Sequence, residues 1–298
     1  MKKIVRNGNV DIATETFGDP ASPPLLLVMG VMASMLWWPD AFCRMLASSG
    51  RFVIRFDHRD TGLSTTFEPG EAPYAMEDMA DDAIAVLDGH GVARAHLIGM
   101  SLGGMVAQIA AFSRPERVAT LTLISTTPVG ADTAGLPDMS PAYLAHCADA
   151  EQVDWTQDAQ VIEHVVKDMR MIAGTAHSHD PAAARALVER DVARARRFAS
   201  ATNHFTVESR GNWHGHLSKL RAPLLVLHGT HDPIYPIEHG RRIADTVAGS
   251  RLTAIEGGGH ELHPSDWLQM VEEIVLHTNG GEWCGRDLHA RNWPAQTT

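Results

Sequence analysis

Three short, almost uninterrupted apolar runs constrain this chain most: PLLLVM at 24–29, FVIRFD at 52–57 and AHLIGM at 95–100. A strand with one wet face alternates apolar and polar residues, whereas a continuous apolar run suits a strand covered on both faces. Between these runs, residues 36–48 and 76–89 carry their apolar side chains at helical spacing. Strands buried on both faces and separated by helices predict a doubly wound, mostly parallel α/β sheet. The alternation continues with a helix over 102–113 and the strand VATLTLIST at 118–126. It resumes later with PLLVLHGTHD at 223–232, a helix near 237–247, the strand RLTAIEG at 251–257 and a last helix near 265–277.

Residues 2–17 alternate weakly around Asn7-Gly8-Asn9, the signature of a hairpin. With it the sheet is expected to hold eight strands. After Pro128 the strand signal stops, and DAQVIEHVVKDMRMI and DPAAARALVERDVARARRF repeat apolar residues every three or four positions. Pro181 suits the first turn of a helix. The expected division is a first core segment 1–129, a helical cap 130–215, a second core segment 216–278 and a polar tail 279–298. At 298 residues the chain suits one large α/β unit carrying an insertion. No internal repeat is visible.

Where the run AHLIGM ends, the sequence reads Gly99-Met100-Ser101-Leu102-Gly103, with Gly104 behind it. This is the G-x-S-x-G pattern of a nucleophile held at the tip of a strand-to-helix turn, where crowding requires small residues on either side. The helix behind Ser101 would direct its first amides and its dipole towards negative charge beside the hydroxyl. A serine hydroxyl needs a base, and the base needs a carboxylate to orient it. Asp232 follows one predicted strand and His260 follows another, in the chain order Ser, Asp, His. Active sites of open α/β sheets gather at those carboxyl ends.

With these residues the chain resembles the α/β-hydrolase family over nearly its whole length, the tail excepted. GTHDPIYP resembles the family's acid loop G-x-x-D-x-x-x-P, and GGGHELHP resembles its histidine loop G-x-G-H-x-x-x-P. The resemblance implies a Ser101-His260-Asp232 triad. LLLVMGVMASMLWW matches the segment where a His-Gly pair usually precedes an oxyanion-hole residue; Met29 replaces that histidine, and Val31 follows. The implied oxyanion donors are the backbone N–H groups of Val31 and Leu102. In DHRDTGLSTT, Asp60 stands where most relatives carry glycine, and Asp57 is expected to anchor the loop that follows it. VMG, WPD and DHRDTG together resemble the aclacinomycin methylesterase-like esterases, which cleave a methyl ester on a bulky polyketide.

The expected function is therefore a serine carboxylesterase acting through an acyl-enzyme on a small-molecule ester, with no cofactor. A lactonase using the same triad is the alternative, and a non-catalytic receptor on the same fold is a third reading. Met32, Trp37 and Met100 are the candidates for an apolar pocket wall. His263 competes weakly with His260 as the base, and Glu256 with Asp232 as the orienter. HSHD at 177–180 and HGH at 214–216 lack an evident third metal ligand, so no metal site is assigned. Cys43, Cys147 and Cys284 are too scattered for a metal or redox motif.

The formal net charge of -11 disfavours nucleic acid and anionic membrane surfaces as partners. No apolar run approaches the ~18 residues of a membrane span. No apolar segment of signal-peptide length follows the two early lysines, so the expected location is cytoplasmic. A homo-oligomer is compatible with the sequence.

Overall fold

The computed structural model describes residues 1–280. Cys284 and nearly all of the expected tail lie outside them. Eight strands form one sheet in the order β1-β2-β4-β3-β5-β6-β7-β8. The strands are β1 (Lys2–Asn7), β2 (Val10–Phe17), β3 (Pro24–Val28), β4 (Phe52–Phe56), β5 (Ala95–Met100), β6 (Val118–Ile124), β7 (Leu224–Gly229) and β8 (Arg251–Ile255). β1 and β2 pair antiparallel, closed by a two-residue turn that places Asn7 opposite Val10. β2 pairs antiparallel with β4, and every pairing from β4 through β8 is parallel.

The central strands are covered on both faces and apolar at nearly every position, the buried Arg55 of β4 and His228 of β7 being exceptions. Leu25, Leu26, Leu27 and Val28 of β3 have no exposed surface, because successive side chains enter opposite layers. Leu26 and Val28 join the layer beneath α2 (Met76–Gly89) and α3 (Leu102–Ser113). Leu25 and Leu27 join the layer beneath α1 (Asp40–Ser48) and α8 (Trp267–Thr278), while α7 (Glu238–Thr246) packs with the first layer. Burying each such side chain contributes about 2 kcal/mol relative to leaving it in water.

The chain leaves β3 for β4 on one side and returns to β5 on the other. The connections after β3 and β5 therefore diverge and open a crevice at the carboxyl edge, the usual ligand position in open α/β sheets. Residues 29–31 and Ser101 flank that crevice.

Between β6 and β7 lie α4 (Pro141–Asp149), α5 (Asp158–Ile172), α6 (Pro181–Arg194) and a nine-residue 3-10 helix, Phe198–Thr206, with no strand among them. α5 and α6 share a small apolar core of Val161, Val165, Val188 and Val192. One helix departs from its expected span. Residues 36–48 form a short 3-10 turn, Met35–Trp37, and then α1 from Asp40. Pro39 lies between them and drives Trp38 into extended backbone, as the residue before a proline prefers.

Candidate active site

Strand β5 ends at Met100 and helix α3 begins at Leu102, leaving Ser101 as the whole connection. Its backbone is at φ 54°, ψ −124°, a conformation costing a side-chain-bearing residue about 1–3 kcal/mol. The surroundings hold it there. Ser101 N–H donates to Ile124 C=O at 3.0 Å, and Thr126 Oγ1–H donates to Ser101 C=O at 2.7 Å. A Cβ on Gly99 would lie 2.3 Å from the Gly103 carbonyl oxygen, and one on Gly103 would lie 2.2 Å from that of Val28. Only glycine fits at either position. Ser101 Oγ makes no hydrogen bond among the described residues, and the residue is 8% exposed.

At the same edge of the sheet, Asp232 lies just beyond β7 and His260 just beyond β8. His260 Nδ1–H donates to Asp232 Oδ2 at 2.8 Å, which leaves Nε2 facing away from the carboxylate. Asp232 Oδ1 accepts the amides of Ile234 and Tyr235, both at 2.9 Å. Burial pushes the Asp232 carboxyl up, but His260, His228 and the Tyr235 amide outweigh it and hold the group below the usual carboxylate range. The histidine loop is fixed by backbone from the end of α5: His260 N–H donates to Ile172 C=O at 2.8 Å. Gly257 C=O accepts the amides of Thr175 and Ala176 at 2.7 and 3.1 Å. His228 is fully buried and donates through Nε2 to Tyr235 C=O at 2.7 Å; Glu256 is exposed.

On the opposite side, residues 29–34 turn past the serine. A Cβ on Gly30 would stand 3.2 Å from Ser101 Cβ and 3.7 Å from its Oγ. The Val31 amide has no partner among the described residues. The Leu102 amide opens α3, where no preceding helical carbonyl exists to receive it. The rest of this loop is anchored from a distance. His58 Nε2–H donates to Met29 C=O at 2.9 Å, and the Met32 amide donates to His204 Nδ1 at 3.1 Å. Asp191 accepts Ser34 Oγ–H at 2.5 Å and Trp37 Nε1–H at 2.7 Å. Asp57 accepts the Met35 and Leu63 amides at 2.8 and 2.9 Å and both arms of Arg194 at 3.0 and 2.6 Å. Burial, with His204 nearby, pushes His58 down to about 3, and burial lowers His204 as well. Both rings stay neutral near pH 7.

A model of the alpha/beta hydrolase fold matches residues 23–266. The chain belongs to the α/β-hydrolase family. This hydrolase is 33% identical to rhodomycin D methylesterase DnrP of Streptomyces peucetius over 93% of its own length and 97% of that protein. In fold it is similar to the esterase EaEST of Exiguobacterium antarcticum (TM-score 0.75, 22% identity, covering 94% of this chain and 100% of that one). It is likewise similar in fold to the enol-lactonase of Burkholderia xenovorans LB400 (TM-score 0.73, 18% identity, covering 93% and 100%).

The hydrolase places its candidate pocket residues unequally. Met100 is 5% exposed and belongs to the layer beneath α1 and α8. Met32 is half-buried at φ 60° in the loop beside Ser101. Trp37 is half-buried between that layer and the α5–α6 core, whereas Trp38 is fully buried and stacks on Phe42. Asp60 sits at φ 68°, which explains why glycine is usual there. Its carboxylate offsets the strain by accepting Phe67 N–H, Tyr74 O–H and Asn203 Nδ2–H at 2.6, 2.5 and 3.0 Å.

His177 does gain companions that its local sequence hides. It pairs through Nε2 with Asp266 Oδ1 at 2.8 Å and stacks on His263 at 4.3 Å and 9°. The ligand atoms of the three lie within 4.8 Å of one another. Parallel rings aim their nitrogens side by side, not at one point, and His263 Nδ1 already accepts the Ser265 amide at 3.2 Å. The cluster acts as a clasp between the segment after α5 and the histidine loop. Burial pushes the Cys43 thiol up to about 12, so it is inert; Cys147 is exposed. Among the described residues no helix is long and apolar enough to cross a membrane.

Proposed function

We propose that this hydrolase is a carboxylesterase working through Ser101, His260 and Asp232. The observation that carries the reading is the strained elbow serine with an unbonded hydroxyl, on the edge where His260 is already oriented by Asp232. His260 Nε2 takes the Ser101 proton as Oγ attacks the ester carbonyl, and the imidazolium then protonates the departing alcohol. The Val31 and Leu102 amides hold the oxyanion, and Asp232 stabilises the charged imidazole. Water activated by His260 releases the acid. Residues 130–215 act as a cap that shapes the acyl and alcohol sites. The 33% identity to rhodomycin D methylesterase DnrP over 93% of the chain favours a methyl ester, and the resemblance to the aclacinomycin methylesterase-like esterases favours one on a bulky ring system.

A panel of p-nitrophenyl esters of graded acyl length, methyl esters of polycyclic acids and simple lactones tests the reading. Methyl esters with large acyl groups should be the best substrates, and Ser101→Ala should lower kcat by about 10⁶ while leaving thermal unfolding unchanged. Undiminished turnover by that variant overturns the assignment. Preference for lactones over all linear esters would move the reaction to ring opening by the same groups.

A further inference from the structure

We propose that the cap positions the oxyanion hole: Asp191, Arg194 and His204 hold the loop that carries the Val31 amide, so the hole is complete only when α6 and the following 3-10 helix are docked. This inference rests on the reading of Val31 as an oxyanion donor. None of the three touches the substrate in this account; they are positioning residues.

Residues 29–34 form no helix or strand, and Met32 is held at φ 60° without being glycine. Such a loop has no ladder to keep its amides in place, and an oxyanion donor works only within a few tenths of an ångström. Its anchors are therefore decisive. On the far side of Val31 they come from outside the sheet: His204 on the Met32 amide, and Asp191 on Ser34 Oγ and Trp37 Nε1. Arg194 grips Asp57, which holds the Met35 amide. Asp191 and Arg194 are three residues apart on α6 and so share a face.

Packing alone does not account for Asp191. It is 2% exposed beside Val188 and Val192, where an apolar side chain would join the cap core without the cost of burying a carboxylate. What the carboxylate adds is direction, with each oxygen given to a different group of one loop. His204 serves similarly, since its neutral ring leaves Nδ1 free to accept the Met32 amide while Nε2–H donates to Arg59 C=O at 2.8 Å.

The test measures kcat, KM and thermal unfolding for Asp191→Asn and Ser34→Ala. It also measures the affinity of an aryl trifluoromethyl ketone, whose hemiketal oxygen occupies the hole. Active sites are counted by fluorophosphonate labelling, so that misfolded protein does not enter kcat. The expected result is a kcat lowered about tenfold or more at nearly constant KM, with ketone affinity weakened by the same factor as kcat/KM. A role confined to stability would lower the unfolding temperature and leave ketone affinity per active site unchanged. Should Asp191→Asn fail to fold, Ser34→Ala removes the same bond from the loop side. Folded variants that keep kcat and ketone affinity within about twofold overturn the proposal. Wild-type protein that neither turns over esters nor binds the ketone overturns the reading of the site, and this inference with it.

Discussion

The acid–base wall of the site is held chiefly by backbone, through the Ile234 and Tyr235 amides on Asp232 and the Ile172 carbonyl on His260. The wall proposed to carry the oxyanion donors, residues 29–37, is held by side chains of His58, Asp57, Asp191 and His204, the last two from the insertion between β6 and β7. Both walls lean on the insertion, the first chiefly through backbone at the end of α5 and the second through side chains of α6 and the 3-10 helix after it. Substitutions in the first should therefore change chemistry at constant stability, and those supporting the second should change both.

The sharpest way to break that contrast is Asp232→Asn. The amide keeps the shape but offers His260 the wrong partner, so kcat should fall about 10⁴-fold with little change in unfolding temperature. A fall below tenfold in steady-state assays would mean that another group orients His260.

Legibility follows the same division. The strands could be read because β3, β4 and β5 are buried on both faces and hence apolar at nearly every position. Ser101, Asp232 and His260 could be read because each sits in a short motif beyond such a strand. His204 could not, since the buried residues of its 3-10 helix, Ala199, Ser200, Ala201, Asn203 and His204, are small or polar and show no apolar stripe. Asp191 looked like one more charge in VERDVARARR. Its signal was phase: it continues the buried stripe of Ala184 and Val188 on α6, where a carboxylate needs dedicated donors. Met29 offered a further hint, because with the usual histidine absent something else must hold the loop, and His58 does.

On the oxyanion wall, Arg194→Met should cost about 3 kcal/mol by leaving the buried Asp57 carboxylate without its cation. Thermal unfolding and kcat should fall together, and an unchanged unfolding temperature would show that the pair contributes nothing net. A smaller effect comes from pH. His58 is lowered from 6.5 to about 3 by burial, so below pH 6.5 the unfolded chain binds a proton that the fold refuses. Stability is thus fully present above pH 6.5 and declines as pH falls, by about 2 kcal/mol at pH 5 from this group alone. His204 and, on the other wall, His228 shift in the same direction. Asp232 is lowered, so its contribution is lost only as pH falls below the ordinary carboxylate value. Unfolding temperatures at pH 7.5 and 5 should differ, and His58→Gln, which still offers Met29 a donor but cannot titrate, should narrow the gap. Equal slopes for variant and wild type would contradict the assignment.

The central claim, that ester cleavage passes through a covalent intermediate on the elbow serine, is tested most directly by rapid acid quench during turnover of a p-nitrophenyl ester followed by peptide mass analysis. The expected result is an acyl adduct on Ser101 that forms within the first turnover and is absent from Ser101→Ala. Turnover with no adduct on Ser101, or with an adduct on another residue, would contradict it.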